Sequence, residues 1–224
     1  MRNIPVITKN LLIINVLVFV ATYALRGLNI DLDTLLGLHF ILAPDFRAWQ
    51  FVTYMFMHGG VTHLLMNMFM LWMFGMVVEN VWGPKKFLFY YMVCGLGAGV
   101  CQELAQYGTY VVEGLAQYET LRIANSIIPM SEYLNMMNTV GASGAIYGVL
   151  LAFGMLFPEE RMFIIPIPIP IKAKWIVMGS IVVELFSAIG TSNDGVAHLA
   201  HLGGMLFGFI LIRYWKKHPY SGYG

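Results

Sequence analysis

Gly141-Ala142-Ser143-Gly144-Ala145-Ile146-Tyr147-Gly148-Val149-Leu150-Leu151-Ala152-Phe153-Gly154-Met155-Leu156-Phe157 carries no charged side chain. With Asn138 before it, the run reaches the ~17–25 residues that a bilayer-spanning helix needs. Yet Ser143 sits inside it, flanked by glycines. A second apolar stretch, from Val196 to Trp215, carries Ala200-His201-Leu202-Gly203-Gly204-Met205-Leu206-Phe207-Gly208. Polar and ionisable groups are expensive inside hydrocarbon, and one retained there points to function. A serine set among glycines and a histidine followed by glycines at helical spacing supply the two halves of a nucleophile–base pair.

The rest of the composition fits the same solvent. Of 224 residues, 58% are hydrophobic and 11% charged, against about a quarter charged in soluble domains. The chain reads as an all-α, multi-pass membrane protein and as a single domain over residues 1–224, because the apolar segments leave no room for a second core. Leu11–Leu25 is apolar, but no small-x-small cleavage site follows it, so it reads as a first span rather than a removable leader. Cys94 and Cys101 lie seven apart on one apolar helix, too far for a disulfide. They read as small packing residues.

Six spans are expected, near 11–25, 58–80, 87–104, 138–157, 174–189 and 196–215. The first connector, Gly27 to Met57, holds Asp31, Asp33, Asp45, Arg47 and Trp49 beside Leu35, Leu36, Leu38, Phe40, Ile41 and Leu42. It is too polar to cross and too apolar to be freely solvated, so a partly membrane-embedded loop is expected. Ser131, Glu132 and Asn135 place a surface helix in the connector before span four. Proline at every second position of Ile165-Pro166-Ile167-Pro168-Ile169-Pro170-Ile171 forbids an α-helix and removes ladder donors. An extended, stiff linker is expected there.

Charge orients the bundle. With the start of the chain inside, Arg2, Lys9, Lys85, Lys86, Arg161, Lys172, Lys174, Arg213, Lys216 and Lys217 are cytoplasmic, and Arg26, Arg47 and Arg122 are not, a split of ten to three. The positive-inside rule then places both termini in the cytoplasm and makes the span number even. Lys85 and Lys86 act as topology determinants, and no nucleic-acid surface is expected. The partner that the composition implies is the lipid bilayer.

Spans two, four and six all enter from outside. At ~1.5 Å per residue, His63 and Ser143 lie roughly 8 Å down their helices and His201 roughly 9 Å. Gly144-x-x-x-Gly148 and Gly204-x-x-x-Gly208 are small faces that let helix backbones touch. If they meet, Ser143 faces His201. Tyr147, one turn after Ser143, is placed to pack on the His201 ring. His63 and Asn67, at i and i+4, share a face of span two and supply side-chain donors for an oxyanion beside backbone N–H groups. His198 competes with His201 as base. His58 lies at the outer rim, with a structural or water-ordering role. Glu79 is expected to bond loop backbone or a lysine. Glu184, inside span five, needs a partner and reads as gate, proton carrier or structural residue. Asp194 is a possible third member of a triad, or a solvated loop residue. Metal chemistry at His58, His63, His198 and His201 is disfavoured. No His-Glu-x-x-His helix occurs, and no carboxylate lies one helical turn from these histidines. Neither a metal nor a cofactor is expected.

Taken together, Gly141-Ala142-Ser143-Gly144, Ala200-His201-x-x-Gly204-x-x-x-Gly208 and His63-Leu64-Leu65-Met66-Asn67 make the chain resemble the rhomboid intramembrane serine proteases over nearly its whole length. The resemblance implies a six-transmembrane-helix bundle. It implies Ser143 as nucleophile and His201 as general base, a dyad without a required aspartate. His63, Asn67 and the Ser143 N–H would line the oxyanion hole, with Tyr147 stacked on His201 and Glu79 structural at the cytoplasmic side. It further implies cleavage of single-span membrane proteins near the outer end of their span, with small residues at the cut and helix-destabilising ones beyond. The family's first loop often carries a Trp-Arg pair. Here Arg47-Ala48-Trp49 is reversed and spaced. The expected setting is a bacterial inner (plasma) membrane. Two other functions are compatible with the composition: a catalytically silent relative that binds transmembrane clients, and a small proton-coupled transporter using Glu184 and the histidines.

Overall fold

The computed structural model describes residues 4–164, 167–190 and 196–218. Its helices are α1 (Val6–Arg26), α2 (Leu32–Leu36), α3 (Gln50–Thr53), α4 (Val61–Met70), α5 (Met76–Trp82), α6 (Pro84–Val112), α7 (Met130–Met136), α8 (Ser143–Leu156), α9 (Ala173–Ile189) and α10 (His198–Lys217). A π-helical turn at Leu71–Gly75 joins α4 to α5, so Val61–Trp82 forms one rod. By length and composition, this rod, α1 and α6 are each long and apolar enough to cross a membrane. The apolar α8 is shorter.

Local chemistry sets several of the ends. Pro5 stands before α1 and supplies no side-chain cap. The missing acceptor comes from Glu79 on α5, whose carboxylate accepts from Ile7 N at 2.9 Å, Thr8 N at 2.7 Å and Thr8 Oγ at 2.7 Å. Gly83, at φ +78°, turns the chain sharply, and Pro84 begins α6 where its missing N–H costs nothing. Beside that turn, Lys86 lies over the ring of Trp215 at 4.4 Å and of Trp82 at 5.5 Å.

The α8 helix is the most buried of the long helices, with every residue from Val149 to Gly154 inside. It packs on α6 and α10. Lipid-type surface lies on the other helices: Leu17, Leu65, Leu104, Val183 and Phe186 are large, apolar and exposed.

The first connector is folded rather than loose. Leu38, Phe40, Met55 and Met57 are fully buried, whereas Leu35, Ile41, Leu42 and Trp49 face outward. Leu38–His39 pairs antiparallel with Asn138–Thr139. The buried Gln50 accepts from His39 N and Arg47 N and donates to Asp45 O. Arg47 donates to Pro44 O and Phe46 O, so the loop is held from within. Glu103 on α6 accepts from Ile41 N at 2.7 Å.

Two of the span boundaries in this part of the chain differ from expectation. The third helix continues to Val112, well past Leu104. The expected surface helix exists as α7, after an antiparallel hairpin of Thr120–Ile123 and Ser126–Pro129. Span four does not begin at Asn138, because Asn138–Thr139 is taken by the strand pair and Gly141, at φ +135°, breaks the backbone before Ser143. The described residues of the proline-rich stretch are extended, as their composition dictates, but they are also paired: Arg161–Ile164 meets Ile167–Lys172. Proline alternates with isoleucine, so the nitrogens lacking a hydrogen fall on one edge and leave the other edge to pair. At the base of this hairpin Lys172 and Lys174 hydrogen-bond Glu159, holding its exposed carboxyl down at about 2.

Candidate active site

The depth expected from helix ends is corrected by the fold. Ser143 is the first residue of α8, His201 the fourth of α10 and His63 the third of α4. All three lie in the first turn of their helices, closer to the helix start than the expected depth of roughly 8–9 Å. First-turn N–H groups have no intrahelical partner and carry the positive end of the helix dipole. The backbone around Ser143 is therefore suited to negative charge.

His201 Nε2 lies 2.8 Å from Ser143 Oγ. The Tyr147 ring stacks on the His201 ring, with centroids 4.2 Å apart and planes within 11°. His201 is buried. His198 turns elsewhere: its Nδ1 is 2.7 Å from Glu184 Oε2. His201 Nδ1 is 3.1 Å from the same oxygen, although its N–H is not well aimed at it. Glu184, on an apolar helix, thus finds its partners on α10. Asp194 lies outside the described residues.

Close backbone contact makes this geometry. A Cβ on Gly204 would sit 1.9 Å from Gly144 O, and one on Gly144 would sit 3.3 Å from Ala200 O. The two small faces meet at these positions. Gly208 faces α6 instead: its Cβ would lie 2.3 Å from the Tyr90 hydroxyl, which donates to Gly148 O at 2.8 Å. Cys94, free and buried, fills the space beside Gly148 and Gly208. The fold therefore wedges α10 between α8 and α6.

On α4, His63 lies against Gly141. A Cβ on Gly141 would be 2.9 Å from His63 Cε1 and 3.5 Å from Ser143 Oγ. Its positive φ and this lack of room both demand glycine. His63 packs edge-on against the buried His58 at 5.1 Å. Asn67 is buried, and its side-chain amide nitrogen has no hydrogen-bond partner among the described residues.

Sequence reasoning did not find the Glu184 cluster. The donor atoms of Glu184, His198 and His201 lie within 4.8 Å of one another, a grouping with metal-ligand chemistry. The carboxylate comes from a different helix, so a search for one helical turn around each histidine missed it. The signal present in the sequence was the unpaired charge of Glu184.

A helical membrane bundle that brings a glycine-flanked serine to a histidine defines a narrow class of protein. The Rhomboid domain family model matches residues 45–217. The chain belongs to the rhomboid family and is an integral membrane protein. It is 28% identical over 166 residues to the rhomboid protease AarA of Providencia stuartii, covering 73% of this chain and 54% of that one. It is 28% identical over 215 residues to YdcA of Bacillus subtilis (strain 168), covering 95% and 91%. It is 30% identical over 167 residues to the human mitochondrial presenilin-associated rhomboid-like protein, covering 72% and 38%. The chain thus spans about half of the first of these, nearly all of the second and little more than a third of the third.

Proposed function

We propose that the chain is an intramembrane serine endopeptidase that cuts single-span membrane proteins near the outer face of a bacterial inner membrane. The observation that carries this reading is the 2.8 Å approach of His201 Nε2 to Ser143 Oγ, with the imidazole held flat by Tyr147. In this reading His201 takes the hydroxyl proton as Oγ attacks the scissile carbonyl. The developing oxyanion is met by first-turn N–H groups of α8 and by His63 and Asn67. The unpartnered Asn67 amide supports that role. A buried donor left unsatisfied costs ~1–3 kcal/mol, and an oxyanion would satisfy it. Six helices cross the bilayer, α1, the α4–α5 rod, α6, α8, α9 and α10, with both termini cytoplasmic. The whole chain works as one domain. The grouping of Lys9, Lys85, Lys86, Lys172, Lys174, Lys216 and Lys217 near the ends of helices opposite Ser143 supports this orientation.

The test is a fluorophosphonate probe on the purified protein, read beside cleavage of a single-span reporter protein. The parent is expected to label and to cleave. Ser143→Ala and His201→Ala are each expected to abolish cleavage, and the double variant to be no worse, because residues acting as one unit are non-additive. Robust cleavage by folded Ser143→Ala would overturn the assignment.

A further inference from the structure

We propose that Glu184 positions His201, so that this chain works through a Glu184–His201–Ser143 relay instead of a two-residue pair. The inference rests on the reading of Ser143 as nucleophile and His201 as base. Glu184 lies on α9 and is 4% exposed. A carboxylate in such a place is held only if donors satisfy it. The donor is His198 Nδ1 at 2.7 Å, and His201 Nδ1 stands 3.1 Å from the same oxygen, Oε2. His198 and His201 are three residues apart on α10, so both rings project from one face of that helix.

The arrangement has a chemical consequence at His201. An ionised carboxylate only accepts hydrogen bonds. It therefore keeps the hydrogen of His201 on Nδ1 and leaves the Nε2 lone pair toward Ser143. The other tautomer would present an N–H to the serine and would take no proton. As Oγ bonds to the substrate carbonyl carbon, its proton passes to Nε2. The imidazolium then stands beside the Glu184 charge. The Nε2 proton goes on to the leaving amine nitrogen as the C–N bond breaks, and Glu184 gains no proton at any step. The loose aim of the His201 N–H fits a resting enzyme, because catalytic hydrogen bonds often tighten only with substrate bound. His198 donates to the same oxygen and helps to fix the carboxylate.

A proton, and not a metal ion, suits the shortest of these contacts. Two ligand atoms each ~2.0–2.1 Å from a tetrahedral zinc would stand more than ~3 Å apart, whereas His198 Nδ1 and Glu184 Oε2 are 2.7 Å apart.

The experiment uses the full chain in detergent micelles, with kcat, KM, a pH profile and a thermal midpoint for each variant. Glu184→Gln is expected to lower kcat by about 10²–10⁴ with KM little changed, by analogy with removing the carboxylate of a serine protease triad. The ionisable groups around the relay are Tyr147, His198 and His201 at Glu184 and His63 facing His201. Removing the anion disfavours the imidazolium, so the acidic limb of kcat/KM is expected to move to lower pH. Glu184→Asp, which retains the charge, is expected to recover part of kcat and keep the limb. Folded Glu184→Gln with parental kcat and an unmoved limb would overturn the proposal. Should Glu184→Gln fail to fold, Glu184→Asp decides: parental kcat per folded molecule with a lowered midpoint makes Glu184 purely structural. Loss of parental activity to a chelator, restored by zinc, would also overturn it. If Ser143→Ala is inactive while Glu184→Gln is fully active, only the relay fails. If Ser143→Ala still cleaves, the underlying reading fails with it.

Discussion

Glu79 and Glu184 are both buried carboxylates on apolar helices, and they are partnered in opposite ways. Glu79 is bonded by two backbone N–H groups and a threonine hydroxyl at the start of α1. None of those donors gains or loses a proton near neutral pH. Glu184 is hydrogen-bonded by the His198 imidazole and stands 3.1 Å from that of His201, which also touches Ser143. A carboxylate held by neutral, fixed donors locks two helices together. A carboxylate held by titratable rings sets the protonation of its neighbours. Burial alone does not separate a structural charge from a working one; the chemistry of the donors does.

The contrast breaks most visibly where the working end depends on helix contact. Gly204→Val is expected to remove nearly all cleavage, because its Cβ would press on the Gly144 carbonyl, which is backbone and has little room to yield. Displacement of the reacting groups by about 1 Å can cost ~10² in rate. Gly204→Ala is expected to be damaging too, since the clash arises at Cβ itself. Gly97→Val does not serve as a neutral control, as its Cβ would sit 2.2 Å from Phe207 on α10. Gly179, with nothing within 4 Å, does. Cleavage per folded molecule, measured against Gly179→Ala, checks this. Unchanged activity in Gly204→Val would mean that the working end tolerates separation of α8 and α10.

A smaller effect sharpens the comparison. Asn67→Ala and His63→Ala are each expected to lower turnover by ~10²–10³, the usual cost of one oxyanion donor, while the thermal midpoint stays near the parent's. Phosphonate labelling of Ser143 is expected to survive better than turnover. Parental rates in both variants would reduce these residues to packing. The smallest effect on chemistry is expected at the other carboxylate. Glu79→Ala should weaken the fold by ~1–3 kcal/mol for each buried donor left unpaired, with kcat per folded molecule unchanged. A fall in kcat without a fall in stability would erase the distinction between the two glutamates.

Much of this was legible in the chain itself. The period and charge of the apolar runs located the long helices, and small residues beside Ser143 and His201 identified faces that touch. Glu79 bonding backbone followed from a charge at a helix end, although its partner proved to be the first turn of α1 and not a loop. What could not be read were features created by distant pairing. The strand contact of Leu38–His39 with Asn138–Thr139 moved the start of α8 to Ser143. The meeting of Glu184 with α10 joins residues 14 and 17 positions apart on two different helices, which helical spacing does not reveal. Tyr90 and Cys94 occupy the face of Gly208 because α6 also packs there, and a glycine pattern does not say which of two neighbours it will meet.

The π turn at Leu71–Gly75 lies between the residues of α4 near Ser143 and the carboxylate of α5 at the far end. It acts as a phase adjuster. Each residue added to or removed from a helix rotates everything beyond it by roughly 100°. His63 and Asn67 therefore keep one angular setting and Glu79 another, and the wide turn reconciles them. Tightening that turn into regular α-helix with all its residues kept would swing Glu79 away from Thr8, whereas removing one residue together with the wide turn would leave both ends where they are. The two ends of one rod are thus free to vary in orientation independently, though they belong to a continuous stretch of backbone.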